Sequence, residues 1–289
     1  MKKLYAILVL ISLSIGSCSQ NSNGEHLDKL IKINRVSERV IVVGLASDAV
    51  TAINTRDGIV VIDAGISSTL TAKYRKLIEN EFDTKNFVYL INTHSHHDHT
   101  NGNVVFDDAT IIGHKNCRLD FKNRMQEISK LKVSMLKAVE SYKKQLTNLI
   151  PKTEEWNWAY SQKMRYQFAF GDLSASNYKT AIDSTFNDTM HLVVGDLSFD
   201  LIYFGDAHSS SDIIIHVPEL KLLMTGDLFS SFGRPSIDKD KIEERCKDVV
   251  KELKNRLIHI ETMISGHGQL LTTEDLKMFI EKIENWGGI

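Results

Sequence analysis

The sequence predicts an α+β protein in four layers, two central β-sheets with helices outside both. Three observations point there. Short β-rich runs alternate with amphipathic helical stretches on both sides of a Lys/Gln/Glu-rich helical segment, giving two mixed halves that each need an outer layer of helices. Two of the runs, Ile59–Asp63 and Phe87–Asn92, are apolar at nearly every position, the pattern of strands covered on both faces. The chain has 289 residues, 42% of them hydrophobic, which is enough to bury a large core in one domain.

Taken in order, β-rich runs fall at Val40–Gly44, Val50–Asn54 and Ile59–Asp63, the last stopping at an Ala64-Gly65 turn. Ser67–Phe82 has helical spacing, with Leu70, Tyr74, Leu77 and Ile78 on one face. Strands follow at Phe87–Asn92 and Thr110–Gly113. Residues 115–168 form a helical insertion, in which Ile128, Leu131, Met135, Ala138, Tyr142, Leu146 and Leu149 keep helical spacing up to Pro151, which ends that helix. Met125, Met135, Trp156 and Trp158 in this insertion are read as packing residues. Strands resume at His191–Val194, Phe199–Tyr203, Ile213–Val217 and Leu222–Thr225. Asp238–Leu257 is an amphipathic helix with Cys246 on its apolar face, Met263–Ser265 a short strand, and Thr272–Trp286 a last helix capped by Thr272 and Asp275. Residues 31–289 make up this domain.

The N-terminus has a different character. Lys2 and Lys3 precede an apolar stretch, Leu4–Ile15, too short for the ~20 apolar residues of a bilayer-spanning helix and shaped like an export signal. Its end, Ile15-Gly16-Ser17-Cys18, resembles the lipobox of bacterial lipoproteins. That resemblance implies a signal peptide over 1–17, a lipid on Cys18, and a flexible tether over 18–30. The chain is expected to be exported, lipid-anchored to the bacterial membrane and facing the periplasm or cell exterior. The formal charge is −2, and −4 once Lys2 and Lys3 are removed, so nothing advertises nucleic acid as a partner. Three cysteines cannot build a disulfide framework, and nothing in the sequence sets Cys117 beside Cys246.

The chemistry concentrates in Thr93-His94-Ser95-His96-His97-Asp98-His99, directly after an apolar strand. Neutral imidazole and carboxylate are donors that zinc, iron and manganese accept, and a strand end holds a ligand loop rigid. The His-x-His-x-Asp-His pattern resembles the signature of the metallo-β-lactamase superfamily. Three further ligands of that family have counterparts here, in order and each at the end of an apolar strand: His208 in Gly205-Asp206-Ala207-His208, Asp227 in Gly226-Asp227, and His267 in Gly266-His267. The likeness runs from about Val40 onward, apart from the insertion.

The resemblance implies a four-layer αβ/βα sandwich holding two divalent ions, zinc foremost, with iron or manganese as alternatives. His94, His96 and His208 would hold one ion, Asp98, His99 and His267 the other, and Asp227 would bridge them. Asp98 would also accept or pass a proton, and Asp63 would support the metal loop from behind. Seven ionisable groups buried together without a cation would carry a large desolvation cost. His26, His97, His114, His191, His216 and His259 match no ligand position and read as surface or hydrogen-bonded residues, with His97 pointing away from the ions.

The implied reaction is metal-assisted hydrolysis of a small molecule, and no Ser-His-Asp triad or phosphate-cradling glycine loop competes with it. One lactamase subclass has a cysteine where this chain has Asp227, whereas Asp227 is similar to the thioesterase, lactonase and phosphodiesterase branches. Ser209-Ser210-Ser211-Asp212 departs from the Thr-x-Gly often found there. The expectation is hydrolysis of an ester, lactone, amide or thioester. The alternatives are a periplasmic β-lactamase, a mononuclear iron sulfur-oxygenase, and a non-catalytic metal-binding lipoprotein.

Overall fold

In a computed structural model that describes residues 24–175, 181–228, 244–256 and 259–287, the strands assemble into two sheets. The first holds β1 (Lys32–Arg35), β2 (Val40–Leu45), β3 (Asp48–Thr55), β4 (Gly58–Ile62), β5 (Phe87–Ile91), β6 (Thr110–His114) and β7 (Ser184–Phe186) in chain order. It is antiparallel through β4 and parallel from there to β7. The second holds β8 (Thr189–Val194), β9 (Leu197–Gly205), β10 (Asp212–Val217), β11 (Leu222–Met224), β12 (Thr262–Ile264) and β13 (Leu270–Leu271), antiparallel except for the parallel pair β11–β12.

Side chains alternate across a strand, so a strand apolar at every position serves two cores at once. In β4, Val60 and Ile62 join the core between the sheets, while Ile59 and Val61 face the outer helices. In β10, Ile213, Ile215 and Val217 fill the inter-sheet core and Ile214 faces outward. The first outer layer includes α1 (24–30) through Leu27, α2 (Ser68–Phe82) through Leu70, Tyr74 and Ile78, and α4 (Asn116–Gln126) through Cys117 and Phe121. The second is α7 (Glu244–Arg256) and α8 (Thr273–Gly287), which contribute Cys246, Val249 and Leu253, and Leu276, Phe279 and Ile283. These are the four layers expected, with Cys117 and Cys246 in separate cores. Among the described residues, no helix is long and apolar enough to cross a membrane.

Several expectations change. The tether, expected over 18–30, cannot extend past residue 23: residues 24–30 are helical, Leu27 is 2% exposed, and His26 meets Asn157 Oδ1 at 3.0 Å. Leu27, Leu30 and Ile31 form an apolar stripe that packs on the first core. The insertion contains α4, α5 (Ile128–Leu146) and α6 (Glu154–Ser174), so it runs past residue 168. Leu146, not Pro151, ends α5, and Pro151 lies in the turn to α6. Thr272 and Asp275 do cap α8, with the Thr272 hydroxyl and backbone N–H each donating to the Asp275 carboxylate at 2.7 Å. The edge strands β1, β7 and β13 were not foreseen. The signal segment, Cys18 and residues 238–243 and 257 of the expected penultimate helix lie outside the described residues.

Candidate metal centre

Both sheets end at one edge, and the donor side chains sit in the loops there. β5 gives way to the loop carrying His94 and His96, then to a single helical turn, α3 (His97–Thr100), carrying Asp98 and His99. His208 lies between β9 and β10, Asp227 just after β11, and His267 between β12 and β13. Backbone bonds sew these loops together: Ile213 N–H donates to the Thr93 carbonyl (2.9 Å) and Gly266 N–H to the Gly226 carbonyl (2.7 Å). Gly266 allows a close approach, since a Cβ there would run into Asp227 Oδ1 and come within 2.9 Å of His99 Cε1.

All seven expected donors meet. Three sets have one donor atom from each residue within 4.8 Å of one another: His94–His96–His208, His94–His99–Asp227, and Asp98–His99–His267. Asp227 is central, its carboxylate oxygens 3.4 Å from His99 Nε2, 3.6 Å from His208 Nε2 and 3.2 Å from His267 Nε2. His208 Nε2 lies 3.0 Å from His96 Nδ1.

Neighbouring groups fix these orientations. Asp63, in the left-handed region at φ 60°, accepts from Thr93 N–H (2.8 Å) and the Thr93 hydroxyl (2.7 Å), and meets His99 Nδ1 at 2.9 Å. That contact turns His99 Nε2 toward Asp227, in keeping with the supporting role expected of Asp63. Likewise the Ser47 carbonyl, 2.7 Å from His267 Nδ1, leaves Nε2 for the cluster. Asp212 accepts from the backbone N–H groups of His208 (2.7 Å) and Ser209 (2.8 Å), shaping the His208 loop.

The electrostatics suit a cation. Burial, reinforced by neighbouring histidines, pushes the His94 pKa far below the usual imidazole value and that of His96 to about 4, so both keep a free lone pair at neutral pH. Burial works against the charged forms of Asp227 and Asp98, yet the surrounding histidines, with Arg165 beside Asp98, hold both below the ordinary carboxylate range. Burial also opposes a charge on His99, but Asp227 and Asp63 outweigh it and raise its pKa. His94 Nε2 is buried with no hydrogen-bond partner, and His99 Nε2 faces Asp227 Oδ1 without an aligned bond. The neutral imidazoles of His94 and His96, the anionic carboxylates and the buried, unpartnered His94 Nε2 fit divalent metal ions.

A cleft of about 320 Å³ opens beside the cluster, lined by His96, His208, Ser209 and Arg124 among others. His97 also lines it and belongs to none of the three donor sets. His114 stands apart, stacked on Tyr203 with ring centroids 3.8 Å apart. Met135 is buried, and Trp156 stacks on Tyr160 at 4.9 Å, both as packing residues. Sequence reasoning missed Ser47, Asp48, Gln162 and Arg165, which lie behind the donors. Polar residues on a helix or at a strand start carry no signal that they are buried.

No curated protein sequence matches the chain significantly. Among solved structures, a metallo-beta-lactamase from Pontibacter korlensis matches with a TM-score of 0.57 at 14% identity, over 88% of this chain and 99% of that one. The metallo-beta-lactamase TMB-1 matches with a TM-score of 0.59 at 15% identity, over 89% and 98%. The sec-alkylsulfatase Pisa1 from Pseudomonas sp. matches with a TM-score of 0.57 at 14% identity, over 92% of this chain but only 43% of its own. At such identities the likeness speaks for the fold. The family model described as the metallo-beta-lactamase superfamily matches residues 47–267, and with that span the chain belongs to this superfamily.

Proposed function

We propose that the protein is a metal-dependent hydrolase. His94, His96 and His208 would hold one divalent ion, Asp98, His99 and His267 a second, and Asp227 would lie between them. The observation that carries the reading is the meeting of seven donors from four chain segments, with His94 Nε2 buried and unpartnered among them. When bound, such ions supply Lewis acidity and lower the pKa of water from 15.7 to about 7. Asp98, whose side chain is 21% exposed and kept ionised by its neighbours, is the group placed to take up or hand on a proton. The substrate is a small ester, lactone, amide or thioester, and the ions are zinc. A lipid on Cys18 would hold the enzyme at the bacterial membrane, outside the cytoplasm, and Cys18→Ala would then move it to the soluble fraction.

Metal analysis of the purified chain, combined with a hydrolase panel of lactams, lactones, thioesters, phosphodiesters and alkyl sulfates, tests this. About two zinc equivalents are expected, with turnover in one arm of the panel. Asp227→Ala and His96→Ala should each lose metal and activity while remaining folded. A folded chain that takes up no metal, or a single tightly held iron in place of zinc, would overturn the reading. So would full turnover in both variants.

A further inference from the structure

The insertion reaches the metal centre through two buried polar side chains one turn apart on α6. Arg165 is 3% exposed and Gln162 4%. An arginine is almost never fully buried unless paired, and Arg165 lies between two carboxylates, its Nε 3.5 Å from Asp48 Oδ1 and its Nη2 3.5 Å from Asp98 Oδ2. Its Nη1 donates to Gln162 Oε1 at 3.2 Å, and Gln162 Nε2 donates to the Ser47 hydroxyl at 2.6 Å. Ser47 in turn meets His267 Nδ1 through its carbonyl. Asp48 is fixed on its far side, accepting from the Tyr74 hydroxyl at 2.9 Å and Ile66 N–H at 3.0 Å. Two of the three donors in the Asp98–His99–His267 set are therefore braced, at one remove, by α6. The His94–His96–His208 set is braced instead by Thr93 and Asp212 and by α4, whose Arg124 donates to the Ser95 carbonyl at 2.7 Å and whose Asn116 donates to the Ser210 carbonyl at 2.6 Å.

We propose that Arg165 and Gln162 are positioning residues through which the helical insertion builds the Asp98–His99–His267 half of the centre. This rests on the metal-dependent reading above and goes beyond it: the two halves of the centre are held by different parts of the fold, and one half depends on α6. Arg165 offers a planar fork that spans two carboxylates, which a lysine's single ammonium cannot do. If Arg165 served only to neutralise Asp48, removing both together would leave the centre intact.

The test is zinc titration of the full chain against a competing chelator, which reads the two equivalents separately. Arg165→Met alone would strand Asp48 without its cation, so the variants are Gln162→Ala and the pair Asp48→Asn with Arg165→Met. Folding is checked by circular dichroism. The expected result is a second equivalent bound roughly 10–100-fold more weakly, the usual loss when a ligand's supporting partner is removed, with the first equivalent unchanged. Arg165→Lys should fall between these variants and the unaltered chain. Folded variants that bind the second equivalent as tightly as the unaltered chain, or lose both equivalents equally, would overturn the proposal. An unaltered chain that binds no zinc defeats the metal-dependent reading itself, and shows this before any variant is made.

Discussion

Every residue of β4 and β10 is buried, whereas along the nineteen residues of α5 Met135 alone is. Val133 and Leu136 on that helix stand 51% and 42% exposed. The strands are clamped from both faces, so the loops leaving their ends inherit a fixed origin, and four such loops bring donors to one point. Within the insertion, α5 is held by a narrow apolar stripe, in which Met135 packs with Ile66, Ala169 and Leu173. By contrast, α4 and α6 join the first core through Cys117, Phe121 and Tyr160, and α6 adds the polar reach of Arg165 and Gln162. The sandwich supplies every donor atom of the cluster, and the insertion supplies a brace. A rigid stage and a brace laid against it are different parts of one site.

Substitutions can break or sharpen this contrast when unfolding by urea is followed on the metal-free chain. Ile215→Ala opens a cavity in the inter-sheet core, where Ile215 is 0% exposed, and should cost about 2–5 kcal/mol. Gly266→Ala forces a methyl group against Asp227 and His99 and should cost about 1–3 kcal/mol, while also weakening metal uptake. Leu136→Ser, on the exposed side of α5, should stay within about 0.5 kcal/mol. An Ile215→Ala variant no less stable than Leu136→Ser would erase the distinction between clamped strands and the lightly held α5.

The same contrast governs how much could be read from the sequence. Strands apolar on both faces announce themselves, and β4, β5 and β10 lie within a residue or two of their expected limits. The seven donors were legible because each follows such a strand in a recognisable local pattern. Edge strands such as β1, exposed or half-exposed along its length, have no apolar run to betray them. In α1 the stripe is a few residues long and looks like tether until it meets a core. Arg165 and Gln162 were illegible for a deeper reason. A polar residue on a helix is ordinarily solvated, and only the packing of α6 against the sandwich reveals that these two face inward. Asp48, two residues before the apolar Val50, likewise looks like a turn residue until Tyr74, Ile66 and Arg165 are seen around it.

His96 and His208 lie side by side yet stand 112 positions apart in the chain, one on a loop from each sheet. A cation gripped by both would act as a removable staple, closing a long loop that the unfolded polypeptide would otherwise leave open. Chelation should then lower the melting temperature, so that the supply of metal would set how long the folded chain survives.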